Sequence, residues 1–329
     1  MNNIFKRSKK LCLKLQEFNI TLTLVLIFIL ILSSLTHSTF FRFNNFINIL
    51  SYTSITGILA IAVTLVLIIG EIDFSVASIA IMSAVAGGVL IENFTKSFII
   101  IFFVSLATGL FLGLINSLVV RYFEIPSFIA TLAMYIIARA GAIWLSKDLI
   151  IYIKNVSGYI YLNTIRIFKL PLIVLVFILI LIIFLILLRF TGFGKIIYAI
   201  GNNSEASYLS GLNVNKWKIL LFILSGGLSA IAGVLGCSQI GQIDPLQWGR
   251  GYEMIAFSIA ILGGASLIGG KGSILGVLQA SLILGILSNI MNLFSVSTYL
   301  QKVVSGAILI IVVFFDSFMR RRVIGLGEK

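Results

Sequence analysis

Ten long apolar runs, separated by short polar breaks, organise this chain: 19–36, 46–70, 75–91, 97–120, 127–145, 170–188, 217–240, 253–268, 273–294 and 298–318. Each is near the roughly 20 residues that an α-helix needs to cross a bilayer. Uninterrupted stretches such as Leu170 to Leu188 predict helices, because the strands of a membrane barrel would alternate apolar and polar residues over about ten positions. The pattern predicts an all-α polytopic membrane protein of about ten spans. Pro126, Pro171 and Pro245 all fall at span edges, where the missing amide donor is tolerated.

Composition agrees with that pattern: 60% of the residues are hydrophobic and only 11% charged, too few to clothe a water-soluble globule. No Pro- or Ser-rich linker divides the chain, so 1–329 reads as one transmembrane domain. Lys6, Arg7, Lys9, Lys10 and Lys14 before the run from Ile20 imitate a signal peptide, but no small-residue cleavage pattern follows. An uncleaved first helix is expected.

The net charge of +13 adds orientation, not a nucleic-acid partner, since the basic residues sit at the ends of apolar runs rather than on one polar face. With the amino terminus inside, 15 Lys and Arg fall in cytoplasmic segments, 8 in external ones, and Arg139 within a span. Both termini are therefore expected in the cytoplasm. The cytoplasmic pieces are then 1–18, the loop 189–216 and the tail 319–329, and the segment 146–169 is external.

The candidate chemistry is thin. Cys12 and Cys237 have no metal-ligand spacing around them, and the single histidine, His37, excludes a histidine proton relay, a His-based metal site and a Ser-His-Asp enzyme embedded in the membrane. The run Gly263-Gly-Ala-Ser-Leu-Ile-Gly-Gly-Lys-Gly-Ser273 imitates a phosphate loop but has Ala265 in place of the first Gly and Gly272 in place of the Ser or Thr. Any ATP must be bound by another chain. Its glycines suit a sharp turn and close helix packing instead.

Among charges near spans, Glu71 and Asp73 read as a solvated turn or as a cap for the helix beginning near Ser75. Arg139 reads as half of an ion pair or as a substrate contact. Asn116, Thr131, Arg139, Asn289 and Asn292 are the candidates for lining a path, with Ser117, Gln279 and Ser288 as further polar span residues. Interhelical hydrogen bonding accounts for the same polar residues equally simply. The octets 110–117 and 282–289 resemble each other and lie in spans of opposite direction, as an inverted repeat requires.

Six stretches, in order along 50–316, resemble one family, the ribose-type sugar permeases of ATP-binding-cassette importers, a branch that also carries other monosaccharides and furanose signalling sugars. They are Gly70-Glu-Ile-Asp-Phe-Ser-Val-Ala-Ser78, Ile125-Pro-Ser-Phe-Ile-Ala-Thr-Leu132 with Ala138-Arg139, Tyr198-Ala-Ile-Gly-Asn-Asn-Ser-Glu-Ala206, Ser210-Gly-Leu-Asn-Val-Asn215, Leu224-Ser-Gly-Gly-Leu-Ser-Ala-Ile-Ala-Gly233 and the glycine-rich run above. The chain departs from the family's usual Gly at Glu71 and Ala77, and from its aliphatic residue at Phe74. The resemblance implies a permease without an ATPase site or cofactor of its own, in the bacterial inner membrane. It also implies ATP-binding subunits in the cytoplasm, a sugar-binding protein outside and a second permease copy or a related permease.

By the same resemblance 189–216 is the coupling segment that meets the ATPase, through Gly201, Asn202, Asn203, Glu205, Ala206, Ser210 and Gly211. Its composition suits a short helix with Asn202 or Asn203 as cap and Glu205 near the positive end of the dipole. As parts of an exposed loop, Gly201 and Glu205 are both expected to accept substitution without loss of folding. A secondary transporter or channel for a small polar solute is the alternative. It would bind ions in the spans and need no ATPase.

Overall fold

The computed structural model describes residues 20–36 and 39–325, so the basic segment 1–18 with Cys12, residues His37 and Ser38, and the end of the tail, 326–329, lie outside the described residues. Ten apolar helices fall where the apolar runs do: α1 (Ile20–Thr36), α2 (Phe43–Ile68), α3 (Val76–Asn93), α4 (Phe98–Tyr122) and α5 (Ser127–Leu145), then, past the short α6 (Ser157–Thr164), α7 (Leu172–Phe190). Two short helices, α8 (Gly192–Asn202) and α9 (Ser204–Leu209), occupy the long polar loop, and α10 (Val214–Ile240), α11 (Tyr252–Leu262), α12 (Ile274–Leu293) and α13 (Thr298–Gly325) complete the bundle. Among the described residues, six helices are long and apolar enough to cross a membrane, namely α2, α4, α5, α7, α10 and α12. Four more, α1, α3, α11 and α13, contain shorter apolar stretches.

The most buried helix is not the most apolar one. Nearly every side chain of α2 from Thr53 onward is buried, and α2 packs against α7, α10, α11 and α12. α7 is made almost wholly of Leu, Ile, Val and Phe, yet much of its surface is open, with Leu179, Ile182 and Ile186 all exposed. In lipid this is expected, because a leucine gains nothing by leaving a hydrocarbon solvent, whereas small side chains let backbones approach. α4 and α10 do so at Gly109 and Gly226, where an added Cβ on either would overlap the other's carbonyl oxygen.

Two halves are visible. α2 lies against α11 and α12, and α10 lies against α3 and α4, so each long helix packs on the helices that follow the other. The similar octets 110–117 and 282–289 sit on α4 and α12, which hold equivalent places in this exchange. A second pair of segments matches better: Gly70-Glu-Ile-Asp73 follows α2 and Gly241-Gln-Ile-Asp244 follows α10. Both glycines adopt left-handed backbone, φ 81° and 75°, which costs any other residue a steric penalty. Both aspartates accept a hydrogen bond from the amide two residues on, Ser75 in one turn and Leu246 in the other, at 2.9 Å each.

Three sequence expectations change. The run 253–268 is helical only to Leu262, because Gly264, Gly269 and Gly270 take φ of 98°, 95° and 74° and turn the chain into a compact loop. α13 continues past 318 into the basic tail and ends at Gly325. Four two-residue strands were not foreseen. β1 (Ile151–Tyr152) pairs antiparallel with β4 (Gln242–Ile243), Ile151 opposite Ile243, and β2 (Arg166–Ile167) pairs with β3 (Leu170–Pro171).

Candidate functional site

The turn after α2 ties four helices together. Asp73 is buried, and its carboxylate is held by hydroxyl and amide donors: Ser75 N and Oγ donate to Oδ1 at 2.9 and 2.5 Å, and Ser225 Oγ on α10 donates to Oδ2 at 2.7 Å. Asn116 Nδ2 on α4 donates to Ser75 Oγ at 2.8 Å. On α5, Ser127 Oγ accepts from Ile72 N at 3.0 Å, and the Thr131 hydroxyl lies 3.2 Å from both Phe74 N and Ile72 O. Glu71 forms an ion pair with Lys218 at the start of α10. The turn thus runs from exposed Gly70 to buried Asp73, whose carboxylate ties it into the bundle, and Asn116 and Thr131 are joined in one network.

The same end of the bundle carries the long polar loop. Thr191 caps α8 by accepting from Phe193 N at 3.2 Å, Asn203 caps α9 by accepting from Ala206 N at 2.9 Å, and Asn213 caps α10 by accepting from Lys216 N at 3.0 Å. Glu205 stands in the first turn of α9, where the helix dipole favours a carboxylate. Asn202, Asn203, Glu205, Ala206, Ser210 and Gly211 are exposed.

Gly201 is not. A Cβ there would overlap the Ile68 carbonyl oxygen and crowd Gly270 N, two atoms that bond each other at 2.8 Å. The expectation that Gly201 accepts a large side chain is therefore corrected: it is a packing contact between α8, the end of α2 and the glycine-rich run. Tyr198 donates its hydroxyl to Gly272 O at 2.8 Å and fastens that run to α8 as well. Sequence reasoning missed Tyr208 and Leu209, which are exposed at the tip of the loop on α9. Two large apolar side chains on so polar a loop were the available signal.

At the opposite end of α10, Asp244 Oδ1 accepts from Leu246 N and Gln247 N at 2.9 and 3.0 Å. Ser225, which holds Asp73, lies 15 residues before the end of α10, so by helix rise the two turns are about 22 Å apart. Arg139 reaches the second turn from α5: its Nη1 donates to Trp248 O at 2.8 Å and to Pro245 O at 3.4 Å. Buried Arg139 thus satisfies backbone carbonyls, and among the described residues it forms no ion pair. The buried side of α5 therefore grips both turns, through Ser127 and Thr131 at one end and Arg139 about 12 Å away, eight residues on.

The remaining path candidates lie apart from this network. Asn289 and Asn45 exchange side-chain hydrogen bonds at 2.8 and 2.9 Å, joining α12 to α2, and exposed Asn292 accepts from Gln301 of α13 at 2.8 Å. The segment 146–169 is anchored rather than loose: Tyr159 on α6 is buried, and its carbonyl accepts from Ser238 Oγ at 2.6 Å.

A bundle of apolar helices with two exchanged halves, a polar turn at each end and a capped surface loop is the architecture of an all-α polytopic membrane protein. The model of one permease family, described as the branched-chain amino acid transport system permease component, matches residues 45–313, and the chain belongs to it. It is 34% identical over 301 residues to the ribose import permease of Escherichia coli K12, covering 90% of this chain and 92% of that one. The L-arabinose transport system permease of the same strain is 36% identical over 252 residues, 77% of this chain and 76% of its own. The xylose transport system permease of Haemophilus influenzae aligns at 32% identity over 377 residues, 94% and 99%. No solved structure matches the chain.

Proposed function

We propose that this chain is the permease subunit of an ATP-binding-cassette importer, forming the path by which a monosaccharide enters the cytoplasm. The observation that carries the reading is the match to the ribose permease, which runs through nearly the full length of both chains. On this reading α1–α5, α7 and α10–α13 are ten spans, both termini are cytoplasmic, and the protein resides in the bacterial inner membrane. Its partners are two cytoplasmic ATP-binding subunits, an external sugar-binding protein and a second permease, either a copy or a relative. It binds no nucleotide itself.

The coupling surface is then α9 and its flanks: Asn202, Asn203, Glu205, Ala206, Ser210 and Gly211, with exposed Tyr208 and Leu209 as the apolar anchor. Gly201 belongs to this machinery one step back, seating the loop on α2 and the glycine-rich run. Force applied at α9 reaches the turn at Asp73 through that contact and through the Glu71–Lys218 pair. α5 carries it on to the second turn through Thr131 and Arg139, in keeping with alternating access by rocking halves. Asn116, Thr131 and Arg139 serve this framework, Asn289 joins α12 to α2, and Asn292 stands nearer a solute.

An amino acid is the second reading, favoured by the description of the family that matches. Uptake separates the two. Cells expressing the chain with its ATP-binding and solute-binding partners should accumulate a labelled pentose, and accumulation of leucine instead would replace the sugar with an amino acid.

A further inference from the structure

A cavity of about 350 Å³ opens between α2, α11, α12 and α13, at the end of the bundle that carries the second turn. Small-molecule sites run from roughly 300 to 1,000 Å³, so its size suits a single small ring rather than a nucleotide. Tyr52 and Tyr252 form one wall with their rings edge to face, centroids 6.0 Å apart. Ser288 lines the cavity together with Tyr52. Asn292 and Gln301 bond each other at 2.8 Å and so fix two amides on the opposite wall. Ser258 and Ser305 donate to the carbonyls of Met254 and Gln301, which turns their oxygens into acceptors for a guest. Arg250 and Lys302 also line it, and among the described residues no carboxylate does.

We infer that this cavity is a monosaccharide subsite within a single permease chain, entered from the end bearing the second turn. The inference rests on the importer reading and adds the place where the solute pauses. An aromatic face, hydroxyls and fixed amides are what a ring with apolar C–H faces and polar edges can satisfy at once. A free amino acid fits less well, since its ammonium group would be buried without a carboxylate. An acyl chain would bury the Tyr52 and Ser288 hydroxyls and the amide wall against hydrocarbon, forfeiting bonds that a polyol makes.

The test uses the assembled importer in lipid nanodiscs. In a Cys12→Ser background, Thr298→Cys, an exposed position on the cavity lining, is modified with a polar thiol reagent, Cys237 being fully buried. Millimolar ribose, L-arabinose or xylose is expected to slow the modification at least fivefold, while leucine or glycerol has no effect. In parallel, Ser288→Phe, which fills the cavity, is expected to cut pentose uptake at least tenfold with unchanged membrane abundance and ATPase co-purification. The subsite is overturned if no pentose protects Thr298→Cys, if phosphatidylglycerol alone protects it, or if Ser288→Phe transports normally. Protection and uptake by leucine in place of pentoses would sink the sugar reading itself, a result distinct from the loss of pentose protection in a chain that still carries pentose.

Discussion

Gly201→Ala is a sharper probe of the coupling loop than any exposed substitution, because one methyl group there has nowhere to go. The added Cβ would overlap the Ile68 carbonyl and crowd Gly270 N, so either the loop lifts away from α2 or the hydrogen bond between those two atoms breaks. Overpacking a tight contact costs about 1–3 kcal/mol, and losing one hydrogen bond adds about 0.5–1.5 kcal/mol. A total of about 2–4 kcal/mol would lower the thermal midpoint by roughly 5–10 °C, taking the lower sensitivity of larger domains. Glu205→Arg is the control, an exposed change expected to cost less than about 0.5 kcal/mol. The assay is thermal unfolding of detergent-purified protein together with uptake and ATPase co-purification. Gly201→Ala should lose stability and transport together, and Glu205→Arg should lose transport and ATPase binding while keeping its midpoint. A Gly201→Ala protein with the wild-type midpoint and normal uptake would refute the packing argument.

Four further outcomes follow from the same geometry. Thr131→Val keeps the side chain's shape but removes the hydroxyl that meets Phe74 N and Ile72 O, and should destabilise the protein by about 1–3 kcal/mol in thermal unfolding. Arg139→Met should strand the carbonyls of Trp248 and Pro245 and cost at least as much, with a wild-type midpoint contradicting the role given to α5. Glu71→Lys and Lys218→Glu should each reduce uptake, and the double exchange should restore at least half of it if the pair acts as a unit. The purified chain alone should hydrolyse no ATP, and Lys271→Ala should leave that background unchanged. Lysine-dependent hydrolysis would expose a nucleotide site that the spacing of the glycine-rich run argues against.

Much of the helix layout was legible because hydropathy reports the solvent directly: in lipid, an apolar run of the right length has few structures open to it. Burial was not legible by the same rule. α7 and α2 both read as apolar, and only the small and hydroxyl residues of α2, such as Ser54, Gly57, Ala60 and Thr64, marked it as the inner helix. Gly201 looked like loop punctuation, because nothing local announces that Ile68, 133 positions earlier, passes behind it. Arg139 could be recognised as costly, but its partners are carbonyls, which every residue has and no sequence pattern marks. The repeat of Gly-x-Ile-Asp at 70–73 and 241–244 was in plain view and shorter than the octets that drew attention, yet it is the pair whose glycine backbone and aspartate-to-amide bonds coincide.

The most direct measurement is uptake by proteoliposomes rebuilt from purified parts: this permease, its ATP-binding subunits inside and its solute-binding protein outside. The account predicts accumulation of a labelled pentose that requires ATP in the lumen and every one of these components. Accumulation driven by an ion gradient with the ATP-binding subunits left out would contradict it and identify a secondary transporter.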